Sequence, residues 1–283
     1  MHTGRLILAG APLGNPEDAS LRLRRALVGA EIIFAEDTRR LRHLMQELAL
    51  ATSAEVHSFF AGNERERIKE LRDLLTKGSS ILLITDGGMP GVSDPGYLAI
   101  QCALEVGAEI EVIPGPSAVT TALVLSGLPM ERFLFDGFAP RTAKARADYL
   151  HSIKNESRTI VLFEAPHRTK ELIDDLFDIF GAARKVALCR EMTKRYEEVV
   201  RGTIGTLKDW VATREILGEV TLVIDGAGVA EVRSRTPEEI AHQVALREGA
   251  GMDRREAIAA VAQELRLRKR EVFDALVASK MEQ

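Results

Sequence analysis

Five carboxylates stand in short segments rich in glycine, proline or cations: Glu36 and Asp37 in AEDTRR, Asp86 and Asp94 in TDGGMPGVSDPG, and Glu164 in FEAPHR. A carboxylate held against a hydroxyl can take its proton, and a positioned base typically contributes about 10²–10⁴-fold. Cations lie in or beside such segments. Arg39, Arg40 and Arg42 with His43 follow AEDT, and Arg190 and Lys194 belong to CREMTK. These groups either bind phosphate or pair with the neighbouring acids. Asp86 and Asp94 flank glycine or proline, where an Asx-type turn accounts for an aspartate equally well. His167 stands alone in EAPHR and suits a structural hydrogen bond or proton transfer. No single base is selected by residue type alone.

The absent signatures narrow the chemistry further. No GxGxxG follows the first apolar run and no Gly-Lys-Ser/Thr occurs, so the common dinucleotide and triphosphate cradles are unsupported. There is no HExxH and no Cys/His cluster, and Cys102 and Cys189 stand far apart, which fits a reducing compartment and buried thiols. The stretch from Thr85 to Gly96 offers backbone instead. Glycine lets a ligand approach the main chain and proline stiffens the loop, so N–H and C=O groups become the recognition surface.

These segments need a frame that brings them together. Apolar, β-branched runs recur at 6–9, 32–35, 56–60, 81–85 and 110–113, separated by stretches with helical spacing such as Leu41, Leu44, Met45 and Leu48. The alternation predicts a mainly parallel sheet covered by helices. A break at SGLPMER, 126–132, precedes a second set of strands at 133–138, 159–163, 186–190 and 219–225. GAGVAEVRSR then reads as a linker. From Thr236, which forms a capping-box pattern with Glu239, three helical segments are expected. The expected organisation is therefore α/β, with domains at 1–128 and 129–228 and a linker with a small helical tail domain at 229–283. The conspicuous loops all follow strands, and in open parallel sheets ligands bind beyond the carboxyl ends of strands. A backbone-lined cleft between two α/β domains follows, holding a neutral or amphipathic ligand. The N-terminus lacks a signal-type apolar region and no run suits a membrane span, so a cytoplasmic protein is expected.

The segments APLGNPED, AEDTRR, DGGMPGVSDPGY, IPGPSAVTTALVLSGLP, FEAPHR and CREMTK, in this order, resemble the tetrapyrrole-methylase fold family of S-adenosylmethionine (SAM) dependent methyltransferases. Within that family they are most similar to the branch that methylates a cytidine 2′-hydroxyl in the decoding region of 16S rRNA. The resemblance implies SAM between two α/β domains, touched by Pro12, Gly87, Gly88, Met89, Val92, Ser117, Ala118, Glu164 and Met192. It implies a base among Glu36, Asp37, Asp86, Asp94 and Glu164, and a homodimer acting on the small ribosomal subunit. Two departures stand out: Ala11-Pro12 where the family more often has Thr-Pro, and FAGNE at 60–64 where many members read HEHNE.

A net charge of −4 leaves any polyanion surface to local clusters. Besides Arg39, Arg40 and Arg42, two are candidates: Arg141, Lys144, Arg146, Lys154 and Arg158, and then Arg184, Lys185, Arg190, Lys194 and Arg195. Beside cleft loops such runs form a phosphate track for RNA. Two other readings remain open: methylation of a tetrapyrrole or another small molecule, and a ligand-sensing regulator whose helical tail binds nucleic acid.

Overall fold

The computed structural model describes residues 4–228, 237–265 and 267–281. Its first sheet has the order β3-β2-β4-β1-β5 and is parallel throughout. The strands are β1 (Arg5–Ala9), β2 (Ile32–Ala35), β3 (Glu55–Ser58), β4 (Ser80–Ile84) and β5 (Glu109–Ile113). Helices α1 (Leu21–Gly29), α2 (Thr38–Glu47), α3 (Glu64–Thr76) and α4 (Tyr97–Glu105) connect them. Alternate strand residues enter opposite layers. Leu82 and Ile84 pack with Leu23 and Leu27 of α1 and Leu41 and Met45 of α2. Ile81 and Leu83 pack with Leu71 and Leu75 of α3 and Ala99 and Cys102 of α4. The central strands, buried on both faces, read as continuous apolar runs, whereas the edge strands β3 and β5 are largely exposed or half-buried.

Helix α5 (Ala118–Ser126) follows β5 but packs elsewhere. Its Val119, Ala122 and Leu123 cluster with Val161, Ala187, Cys189 and Val223 of the second sheet. The packing thus changes sheet within IPGPS, before the Gly-x-Pro break of the sequence.

The second sheet has the order β6-β7-β10-β8-β9. It comprises β6 (Phe133–Phe138), β7 (Thr159–Glu164), β8 (Lys185–Arg190), β9 (Glu198–Thr203) and β10 (Val220–Ile224), with α6 (Ala143–Ile153), α7 (Thr169–Phe180) and α8 (Ile204–Ala212) between them. Only β6 and β7 pair in parallel; β10 runs antiparallel to both β7 and β8, and β9 antiparallel to β8. This sheet is mixed, and β9 was not foreseen: it is an edge strand whose Arg201 and Gly202 are exposed, so EVVRGT lacks an apolar signature.

The chain forms two compact units. One holds both sheets, in residues up to Ser152 and Arg158–Asp225; the other is Ile153–Ser157 with the residues from Gly226 onward. Ala227 N–H donates to the Glu156 carbonyl at 2.6 Å within the second unit. There α9 (Pro237–Gly249), α10 (Arg254–Glu264) and α11 (Lys269–Met281) bury Ile240, Val244, Val261, Leu265, Val272 and Leu276 together. Thr236 of the expected capping box, most of the expected linker and Arg266 lie outside the described residues. No helix among the described residues is long and apolar enough to cross a membrane.

Candidate functional site

The carboxyl ends of β1, β2, β4 and β5 carry loops that meet in a cavity of about 420 Å3. Leu13, Glu36, the run Asp86–Met89 with Val92–Asp94, and Ser117–Val119 line it from the first-sheet loops and α5. Phe138, Phe163–Pro166 and Met192 line it from β6, β7 and the segment after β8. Arg40 and Gly218–Thr221 complete the lining. Because Val220 pairs with both Glu164 and Arg190, the amino end of β10 stands where its neighbours' carboxyl ends do.

The glycine-rich loop is held as backbone. Ala11 N–H donates to the Gly88 carbonyl at 2.8 Å and Gly88 N–H to the Ala11 carbonyl at 3.0 Å. Gly88 has φ +77°, a glycine conformation, and a Cβ there would be in ordinary contact with Leu13 Cδ2 at 3.7 Å and the Pro116 carbonyl at 3.9 Å. Gly10 and Gly115 bring two loops backbone to backbone, since a Cβ on Gly10 would lie 2.6 Å from Gly115 N. Ser117 caps α5 without a side-chain bond, which leaves its first-turn N–H groups without that partner at the cavity.

A chain of backbone-to-carboxylate bonds links the acids. Asp86 N–H donates to Glu36 Oε2 and Asp37 N–H to Asp86 Oδ1, each at 3.1 Å. Asp37 caps α2 through Arg39 N–H and accepts Arg39 Nε at 3.1 Å and Nη2 at 2.6 Å. Those bonds hold its carboxyl well below the usual range, so it is a weak base. Burial raises Glu36 and Asp86, and it pushes Asp94 up to about 7 with help from the charges of Glu36, Asp86 and Glu219. Arg40 reaches Asp86 at 3.5 Å and Glu219 at 3.9 Å.

Glu164 is buried, and its Oε1 accepts Ala165 N–H at 2.8 Å. Its Oε2 has no hydrogen-bond partner: Arg168 Nη2 lies 3.3 Å away but donates to the carbonyls of Ala139 and Pro140. Burial raises this carboxyl too, opposed by Ala165 N–H and Arg168. After β8, Glu191 and Thr193 take positive φ, and Glu191 Oε1 accepts both Lys194 Nζ at 3.0 Å and Glu219 N–H at 2.9 Å. Asn15 N–H donates to Thr193 Oγ1 at 3.2 Å, which fastens the first loop to this segment.

Residues 5–208 match the family of tetrapyrrole (corrin/porphyrin) methylases. The chain belongs to that family. It is 42% identical over 283 residues to a Mycobacterium bovis protein named ribosomal RNA small subunit methyltransferase I, covering 100% of this chain and 98% of the relative. A Thermotoga maritima protein of the same name is 40% identical over 223 residues, 79% of this chain and 99% of its own length. In fold, the chain is similar to uroporphyrin-III C-methyltransferase from Thermus thermophilus complexed with S-adenosylhomocysteine, with a TM-score of 0.57, 18% identity, and coverage of 78% of this chain and 97% of that one.

In this methylase chain, Glu36, Asp86, Asp94 and Glu164 come together on the cavity, as do Gly87, Gly88, Met89, Val92, Ser117, Ala118 and Met192. Pro12 and Asp37 line an adjoining cavity instead, with Lys194; Arg40 lines both. Arg39, Arg42, Arg190 and His167 line neither. Arg190 donates to Glu198 at 2.7 Å and to the Leu217 carbonyl at 3.1 Å, which ties β8 to the turn before β10. Two members of the basic clusters are not surface groups. Arg146 is 3% exposed and pairs with Asp175 and Glu171 of α7, and Arg184 is 6% exposed over the Phe180 ring. Sequence reasoning also missed Phe138 and Gly218–Thr221. An alternation of strand and helix carries no sign of an antiparallel β10, so the residues before it gave no signal. In FAGNE, the last two residues are structural: Asn63 Oδ1 accepts Phe60 N–H at 2.8 Å, and Glu64 Oε1 accepts Gly96 N–H at 3.1 Å at the start of α4.

Proposed function

We propose that this protein transfers a methyl group from SAM to the 2′-hydroxyl of a cytidine in the decoding region of 16S rRNA. Full-length similarity at 42% identity to a protein named ribosomal RNA small subunit methyltransferase I carries the reading. The cavity fits the cofactor. Its carboxylates suit a sulfonium cation, its apolar walls a planar base, and the first turn of α5 a carboxylate group, while Gly88 lines it with bare backbone at positive φ. Gly87, Gly88, Met89, Val92, Ser117 and Ala118 would hold it from one side, with Glu164 and Met192 from the other and Pro12 supporting the loop.

SAM, when bound, supplies a methyl on a sulfonium: the S–C bond breaks as the O–C bond forms, and a neutral thioether departs. The chain's part is to orient the hydroxyl, a contribution that reaches about 7–11 kcal/mol in favourable cases, and to receive the proton. Asp37 is committed to Arg39, which leaves Glu36, Asp86, Asp94 and Glu164 as acceptors. Arg39, Arg40, Arg42 and Lys194 are the proposed phosphate contacts, with Arg190 supporting the segment they flank. The reading extends to a cytoplasmic homodimer of two α/β domains and a helical tail that adds RNA contacts.

Incubation with methyl-labelled SAM and unmethylated small ribosomal subunits tests this. Label is expected on one cytidine ribose of 16S rRNA and none on an all-DNA copy, because the 2′-hydroxyl is the acceptor. Label on a base atom, or only on a porphyrinoid offered in parallel, overturns the assignment.

A further inference from the structure

A second cavity of about 300 Å3 adjoins the first, and the two share a wall of Leu13, Glu36, Arg40 and Asp86. Helix α2 turns one face to it, with Arg40, Leu41, His43, Leu44 and Glu47 at helical spacing after the cap Asp37. Its remaining lining includes apolar surface from Pro16 and Ile84 and the cation Lys194. Thr85 also lines it. That residue is 5% exposed, and its Oγ1 has no hydrogen-bond partner. A buried hydroxyl without a partner is unusual, and a ligand atom that supplies one recovers the cost.

We propose that the second cavity receives one nucleotide turned out of an RNA strand, with Thr85 Oγ1 hydrogen-bonded to it and its ribose against the wall of Glu36 and Asp86. This rests on the RNA methyltransferase reading above. Its volume stands at the lower end of the range of about 300–1,000 Å3 typical of ligand sites, which suits one nucleotide better than a macrocycle. The outward side of α2 supplies what the flanking phosphates need: Arg39 and Arg42 are exposed there, and Arg42 makes no side-chain hydrogen bond or ion pair among the described residues. Enzymes reach an individual nucleotide only when it is single-stranded or out of the stack, and apolar walls then receive the base. The arrangement selects between the acids: Glu36 and Asp86 face both cavities, whereas Asp94 and Glu164 line only the first. The hydroxyl proton therefore passes to the Glu36 or Asp86 carboxylate as the oxygen gains its methyl.

Two full-length variants test the site. Leu44→Trp fills the second cavity and leaves the first untouched; Thr85→Val removes the hydroxyl at nearly constant volume. Affinity for S-adenosylhomocysteine is measured by calorimetry, and kcat/KM on unmethylated small subunits by label transfer. Both variants should bind S-adenosylhomocysteine as the wild type does. Leu44→Trp should lose about 100-fold in kcat/KM, the scale of a displaced reactant, and Thr85→Val about tenfold, the scale of one lost hydrogen bond. Wild-type kcat/KM in a folded Leu44→Trp protein overturns the proposal. So does a parallel loss of S-adenosylhomocysteine affinity, which assigns the second cavity to the cofactor. If Leu44→Trp does not fold, Thr85→Val decides alone, and an unchanged kcat/KM sinks the site. Failure of the underlying reading looks different, since the wild type itself would then label no RNA.

Discussion

The two sheets build their halves of the cavity from different materials. The first, wholly parallel, delivers its loops at one edge by topology alone, and those loops offer main chain and closely linked carboxylates. The second is mixed, so it supplies three strand ends and one strand beginning, and it fixes them with paired side chains: Glu164 with Arg168, Arg190 with Glu198, Lys194 with Glu191 and Glu219. The difference separates tasks. Rigid backbone suits shape recognition, while side chains clamped by ion pairs suit closing one wall on another.

The sharpest way to break this contrast is to exchange acids for amides in both halves. If the proton goes to the first-sheet wall, Glu36→Gln or Asp86→Asn should lower turnover by about 10²–10⁴-fold at saturating SAM, the range for a general base. Glu164→Gln should mainly weaken SAM binding, and Asp37→Asn should leave turnover within about tenfold, well short of a base's contribution. Single-turnover label transfer with cofactor affinity measured alongside distinguishes these outcomes. A large turnover loss in Glu164→Gln alone, at unchanged affinity, would move the base to the second sheet.

Next in size is the backbone cradle. Gly88→Leu adds a side chain to the cavity lining at φ +77°, where an L-residue is strained by roughly 1–2 kcal/mol. Calorimetry should show SAM binding lost in a protein whose circular dichroism is unchanged. Retained affinity would remove this loop from the cofactor's contacts.

How much of this was readable beforehand follows from the same contrast. The first sheet was legible because its central strands, buried on both faces, are apolar runs and its loops announce themselves with glycine and proline, as in TDGGMPGVSDPG. In the second, pairing direction is not written in any strand, so the contribution of Gly218–Thr221 was invisible. Arg146 read as a surface cation because its partners, Asp175 and Glu171, come from α7, more than 20 residues away. FAGNE showed only a departure from the family's HEHNE, and nothing in it announced that the Glu64 carboxylate accepts the N–H groups of Gly96 and Leu98, a contact 32 and 34 residues distant. Long-range pairing of charged groups is what local pattern omits.

The smallest expected effect concerns Asp94, where the two halves meet. Burial, with the charges of Glu36, Asp86 and Glu219, pushes its carboxyl from an ordinary 3.8 up to about 7. The folded protein therefore holds this proton more tightly than the unfolded chain does. Below about pH 3.8 both states are protonated and Asp94 costs nothing. Between that value and about 7 the unfolded state releases its proton first, so stability falls as pH rises; above 7 both states are ionised and the loss is complete. Urea unfolding of Asp94→Asn should show a protein more stable than the wild type at pH 8, with the difference closing toward pH 4. A cationic ligand should reverse the penalty, because a sulfonium favours the ionised carboxyl. The preference for SAM over S-adenosylhomocysteine is then expected to rise through pH 7 in the wild type and stay flat in Asp94→Asn. A preference that rises equally in both would assign the titrating group to Glu36 or Asp86, on the first-sheet wall, and would leave Asp94 as a loop aspartate only.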